Sequence, residues 1–457
     1  MTDINERVET LRRLIRIRSV QGAAEPGKPY GPGPAAALAE ALKIADEMGF
    51  KTVNMDNHCG YAEYGSGDEM VMVLGHLDVV PEGEGWSVPP YEGVVKDGKM
   101  YGRGTADDKG PVIEALFALR DIKESGTALR RRIRIVFGVN EETGCEDMAY
   151  YKKNGGEIPV MGITPDACYP LINGEKGILV EDYSRSLRQS GGMRLLSIHG
   201  GTAFNVTPSS AEAWISAPEG TVFPEAPRIS VRYVKDMKDS PEVPAGATVC
   251  IRAEGKSAHG STPEKGINAN GLLVNYLAKL PFEGEAKDAL TFLSEKIGMT
   301  YHGEGFGVDL HDDVSGWLVN NWGVLDGDAG HISVTLNYRY PVTFHKEYCQ
   351  PKVQTVFEKA GWRGKTLMEE PALYVPEDSP FVQMLLSVYR EETGDMSAPM
   401  CIGGGTYAKS IPNCLAFGSM FPGDPEVEHL PDEYLPLDRF GLNEKILQKA
   451  MLAMANA

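Results

Sequence analysis

Several features that mark whole protein classes are scarce in this chain. Its 457 residues include seven cysteines, scattered from Cys59 to Cys414. Their number is odd and none forms a CxxC pair, so neither a thiolate zinc site nor a disulfide framework is indicated. No apolar run approaches the roughly 18 residues that a membrane span needs. The opening Met1-Thr2-Asp3-Ile4-Asn5-Glu6-Arg7 lacks the basic-then-apolar pattern of a secretory signal, so a cytoplasmic location is expected. Positive charge is short too: 45 Lys and Arg stand against 64 Asp and Glu, a formal net charge of -19. That balance disfavours nucleic acid and anionic membrane surfaces as partners. The one basic cluster, Arg130-Arg131-Arg132 with Arg134, precedes a predicted strand and reads as a solvated loop. Internal repeats and low-complexity tracts are missing as well.

What is present supports large cores. Apolar residues make up 42% of the chain, and the length suits two or three domains. The apolar run Val71-Met72-Val73-Leu74, stopped by Gly75, predicts a buried strand. Further strands are predicted at Ile133–Val139 and Met161–Thr164; helical spacing at Val112–Lys123 and, more weakly, at Glu146–Lys152 separates the three strands. Such alternation predicts an α/β sheet with parallel members, whose ligands gather at the C-terminal strand ends. After about Gly177 strands and helices mix without regular alternation, including a helical pattern at Ser209–Ile215. This predicts an inserted α+β domain over residues 177–373. The flanking segments 1–176 and 374–457 then make up one α/β domain.

The chemistry-bearing residues cluster at those strand ends. His76 and Asp78 follow the first strand two apart, so in extended chain they point to one side. Asp107 and Asp108 precede the helix at Val112–Lys123, where its dipole favours negative charge. Glu141 and Glu142 follow the strand Ile133–Val139, Asp166 follows Pro165, and His429 sits in a Pro/Gly-rich loop. Each has a plainer reading when taken alone. Glu141-Glu142 resembles a solvated strand end, Asp166 a turn residue, and Asp107-Asp108 a capping pair, Asp108 above all. Together, two histidines and several carboxylates without cysteine fit a two-metal hydrolytic site for Zn²⁺ or Mn²⁺.

Seven motifs in order carry a family resemblance: GHLDVVP, GRGTADDKG, NEETG, TPDA, SAHGSTPEKG, GGGTY and EHLPDE. The chain resembles the M20 family of metallopeptidases, in particular its monomeric, PepV-like dipeptidase branch, related to carnosinase. The resemblance implies a zinc-peptidase-like catalytic domain with a mostly parallel sheet, plus an inserted α+β lid. It implies two divalent cations, Zn or Mn, per chain. His76 and Asp166 would bind one, Glu142 and His429 the other, and Asp107 would bridge them. Asp78 would orient the His76 ring, and Glu141 would be the general base. A cis peptide is implied between Asp107 and Asp108. His259, on the lid, would donate to the developing oxyanion.

Other residues are candidates by their chemistry. Arg339 ends the predicted strand Ile332–Tyr338, and its planar guanidinium suits a terminal carboxylate. Asn205 and the Gly403–Thr406 loop, with Gly404 and Thr406, could add donors. The length of the insert resembles the monomeric branch. Asp166, where other members carry Glu, implies dipeptides with a free amino terminus, β-alanyl ones included. The alternative is an N-acyl-amino-acid deacylase or desuccinylase of the same family. A two-metal phosphohydrolase would need more cationic side chains than Arg103 and Lys109. A metal-binding scaffold without activity would not need Glu141.

Overall fold

The computed structural model describes residues 4–237 and 243–457. The chain divides into two compact units. The first comprises Met1–Asn173, Val375–Met400 and Thr406–Ala457; the second comprises Gly174–Tyr374 with Cys401–Gly405.

The sheet of the first unit is parallel at its centre. Strand Met70–His76 lies between Arg132–Gly138 and Met161–Thr164, parallel to both, and Cys414–Ala416 continues the parallel run. Toward the edges the pairing turns antiparallel. Cys59–Tyr64 pairs with Arg132–Gly138, and Lys51–Met55 pairs with Cys59–Tyr64. On the other side Ala416 meets Ile172 antiparallel. Every residue of Met70–His76 is buried, as a central strand covered on both faces requires. Helices Ile4–Ile15, Lys109–Ser125 and Leu437–Asn456 pack together, and the last two also pack on Met70–His76.

Buried charges lock these helices. Arg7 grips Glu444 with two hydrogen bonds of 2.5 Å each. Lys109 Nζ donates to the carbonyls of Leu14 (3.1 Å) and Ile17 (2.8 Å), where the first helix ends. A donor there satisfies carbonyls that the helix end leaves orphaned.

The basic cluster is not a solvated loop. Arg131 pairs with Glu69, while Arg132 and Arg134 share Glu63 and Glu157. Arg132 and Arg134 stand two apart on a strand, so both face the same carboxylates. Their charge is spent inside the unit.

The second unit is an antiparallel sheet of eight strands. Their order is Ile229–Tyr233, Val249–Glu254, Ser210–Ser216, Arg194–Gly200, Val319–Asp328, His331–Tyr340, Gly177–Ser186 and Arg363–Glu370. Residues of helices Ala269–Leu277, Gly284–Lys296 and Gln350–Lys359 share its core, with Leu273, Leu290 and Phe357 buried beside Leu336 and Trp322. Phe357 stacks on Tyr183 with ring centroids 3.7 Å apart.

The helix expected at Ser209–Ile215 is instead the strand Ser210–Ser216, with Ala211, Ala213 and Ile215 buried in the core. Alanine and glutamate favour helix locally. Pairing with strands on both sides overrides that preference, as strand propensity depends on context.

Candidate metal centre

Four parallel strands end at one edge of the first unit, and the candidate residues gather in the loops there. His76 closes its strand in register with Gly138. The imidazole is fully buried. Its Nδ1 lies 3.0 Å from the Asp78 carbonyl oxygen and 3.5 Å from the Asp78 carboxylate. The nearer partner is a carbonyl, which only accepts, so Nδ1 donates there and Nε2 is the nitrogen turned toward the carboxylates. The Asp78 carboxylate has a second task. Its oxygens accept the backbone N–H groups of Glu141 (3.2 Å) and Glu142 (3.1 Å), which fixes the glutamate turn beside His76. That turn is a 3-10 helix, Glu141–Thr143, set beyond the strand rather than at its end.

Asp107 is the meeting point. One of its oxygens lies 2.9 Å from His76 Nε2 and the other 2.9 Å from His429 Nε2. Asp166 stands 3.5 Å from His76 Nε2, and Glu142 stands 3.1 Å from His429 Nε2. Two triads result, His76–Asp107–Asp166 and Asp107–Glu142–His429, with ligand atoms in each within 4.8 Å of one another. The peptide between Asp107 and Asp108 is cis. Asp108 occupies the N-cap position of helix Lys109–Ser125 but makes no side-chain cap bond. Its carboxylate accepts the His76 backbone N–H at 3.0 Å instead.

The electrostatics are those of crowded carboxylates. Burial raises Glu141 well above the ordinary range, with further upward pressure from Asp166, Glu142 and Asp107. Burial also raises Glu142 and Asp166, and the charge of Asp107 adds to both. Asp107 is the exception: burial pushes it up, but His429 and His76 together hold it well below the usual carboxylate range. Bonds to Asp107 and Glu142 raise His429 to about 11.

This donor set fits divalent cations. It is all imidazole nitrogen and carboxylate oxygen, the preference of Zn²⁺ and Mn²⁺. His76 Nε2 and Glu142 Oε1 are buried and make no properly aligned hydrogen bond. Buried polar atoms left that way are costly unless an ion takes them up.

His259, Arg339, Asn205 and Gly404 belong to the second unit. The Ser261 backbone N–H points to His259 Nδ1 at 3.3 Å, and the Ser261 hydroxyl lies 2.6 Å from the same atom. An accepting Nδ1 leaves the proton on Nε2, free to donate. Arg339 is buried; its Nη1 donates to the Gly403 carbonyl at 2.6 Å, and its Nε makes no hydrogen bond. The Asn205 carbonyl accepts the Gly260 N–H at 2.7 Å, joining its loop to the His259 turn. Thr406, in the first unit, caps the turn Tyr407–Ser410 by accepting the Ala408 N–H.

Several supporting residues escape a reading of the sequence. Tyr407 packs edge-on to His76, with ring centroids 6.1 Å apart, and its hydroxyl donates to Asp147. Gly138 makes room for it: a Cβ there would lie 1.9 Å from the Tyr407 oxygen. The tyrosine of GGGTY was visible; its link to Asp147 was not. Arg103 and Lys109, the cations nearest the motifs, are both buried and committed, Arg103 to Glu433 and Lys109 to backbone carbonyls. Neither is presented for phosphate.

Comparison with known proteins shows the family and the fold. Among relatives, "Putative dipeptidase YtjP" from Bacillus subtilis (strain 168) is 33% identical over 457 residues, covering 98% of this chain and 97% of its own. The fold is shared with aminoacylhistidine dipeptidase from Vibrio alginolyticus (TM-score 0.60, 14% identity, 100% of this chain and 98% of that one). It is shared also with human carnosine dipeptidase 1 (TM-score 0.58, 15% identity, 99% and 96%). Among the described residues no helix is long and apolar enough to cross a membrane. A sequence model of Peptidase family M20/M25/M40 matches residues 72–453, and the chain belongs to that family.

Proposed function

We propose that this chain is a two-cation dipeptidase that hydrolyses dipeptides with a free amino terminus, β-alanyl ones included. The observation that carries the reading is the pair of triads sharing Asp107. His76 and Asp166 would hold one Zn²⁺ or Mn²⁺, Glu142 and His429 the other, with Asp107 common to both. Cations so placed acidify water and polarise a carbonyl. The substrate class rests on the relatives, since the Bacillus protein is named a dipeptidase.

The chain's own groups do the proton work. Glu141, held by Asp78 but outside both triads, takes the proton of the attacking water and passes it to the leaving amine. The neutral His259, protonated on Nε2, supplies a hydrogen bond to the developing oxyanion. Arg339 takes the substrate carboxylate with the guanidinium donors that Gly403 leaves over. The chain acts as a monomer in this reading, on the length of its second unit.

A panel of one dipeptide in free, N-acetylated and C-terminally amidated forms tests this assignment. The free form should turn over, and acetylation should abolish turnover. Hydrolysis of the N-acetyl group with the dipeptide left untouched would mark a deacylase instead. Arg339→Ala should raise KM most, with kcat/KM for the free acid down about 10–100-fold, the worth of a charge-assisted contact. The mutant should no longer prefer acid to amide. Discrimination as strong as wild type would remove Arg339 from that role.

A further inference from the structure

Glu433 lies four residues beyond His429 and is fully buried. One of its carboxylate oxygens accepts three consecutive-loop backbone N–H groups, from Gly104 (3.0 Å), Ala106 (2.9 Å) and Asp107 (3.2 Å). The other accepts Arg103 Nη1 at 2.6 Å. Two further links join the same stretches. The Gly102 N–H donates to the Glu433 carbonyl at 2.9 Å, and Tyr434–Pro436 pairs antiparallel with Lys99–Tyr101. A single side chain thus ties the loop that carries Asp107 to the loop that carries His429.

The His429 loop needs such a tie. The His429 side chain is 54% exposed, so packing alone does not hold it. His429 and Asp432 both adopt left-handed backbone, with φ of 62° and 59°. That region is uncommon outside glycine, and Asp and His are among the side chains that enter it most readily. Glu433 follows directly, anchored by four hydrogen bonds, and so fixes the exit of that loop.

We propose that Glu433 is a positioning residue that sets the separation of Asp107 and His429, and with it the affinity of the Asp107–Glu142–His429 triad for a divalent cation. The role rests on the cation reading given above. The residue type follows from the donors it faces. Four N–H groups point at it, and a carboxylate only accepts. Glutamine would keep the shape but turn an NH₂ against one set of donors, leaving buried N–H groups unpaired. Loss of a partner that orients a metal ligand typically costs about 10–100-fold in affinity.

The test is calorimetric titration of Zn²⁺ into chelator-treated protein, for wild type, Glu433→Gln and Arg103→Met. Circular dichroism and thermal melts of the cation-free proteins report the fold separately. Glu433→Gln should bind one of its two cations about 10–100-fold more weakly while the folded spectrum is kept. Arg103→Met removes the ion pair but leaves Glu433 on its three amides, and should keep the wild-type affinity. A folded Glu433→Gln that binds both cations as wild type does would overturn the role. So would an Arg103→Met that loses as much affinity as Glu433→Gln, and this arm decides even if Glu433→Gln does not fold. Wild type that takes up no cation would remove the metal reading itself, a result distinct from either.

Discussion

Glu141→Gln is expected to keep both cations and to lose about 10²–10⁴ in kcat, the usual worth of a general base. The carboxyl of Glu141 is in neither triad, so its loss leaves every proposed ligand in place. Its backbone is pinned through its own N–H to Asp78, a bond that glutamine retains. What glutamine lacks is a site for the proton. The surroundings of Glu141 favour proton uptake, because burial and the charges of Asp166, Glu142 and Asp107 all press its pKa upward. Cations bound by the neighbouring carboxylates would oppose that rise. Elemental analysis for cation content, read beside kcat, checks the expectation. Near-wild-type turnover with both cations present would contradict it.

Asp107→Asn is expected to be more severe, because one residue faces both histidines. Asparagine has the same shape but no charge, and one of its two ends becomes a donor. In the proposed site that end would meet a nitrogen lone pair meant for a cation, so at least one ligand atom would be lost and both sites would lose a negative charge. Cation content should fall from two per chain toward none, with activity below that of Glu141→Gln. The loop itself should stay put, since the backbone of residue 107 still donates to Glu433. Elemental analysis after gel filtration decides. Full retention of one cation would assign Asp107 to a single site rather than to both.

Much of this centre was legible along the chain. Strand ends in an α/β sheet converge, and each of His76, Asp107, Glu142, Asp166 and His429 lies just past one or in a loop beside one. The motif order did the rest, and these five residues do stand together. Finer duties were not legible. HxD spacing places Asp78 near His76 but does not say which of its oxygens turns inward. The carbonyl is the nearer partner, and the carboxylate serves the glutamate turn. Asp108 looks like a helix cap from its place in the sequence, yet it caps the end of a strand. Glu433 closes the EHLPDE motif, but its task does not show there. Its donors lie 326 to 330 residues away, and nothing in Pro431-Asp432-Glu433 signals burial. In the second unit, local helix preference at Ser210–Ser216 gave way to pairing on both sides. What sequence withholds in each case is the tertiary partner, not the residue's chemistry.

One measurement bears most directly on the proposed two-cation dipeptidase activity. The chain is stripped with chelator, its cation content is verified, and an unblocked dipeptide is offered while Zn²⁺ or Mn²⁺ is added back. The stripped chain should be inactive, and turnover should return as two equivalents per chain are taken up. Full turnover by the cation-free chain, or no dipeptide hydrolysis with two equivalents bound, would contradict it.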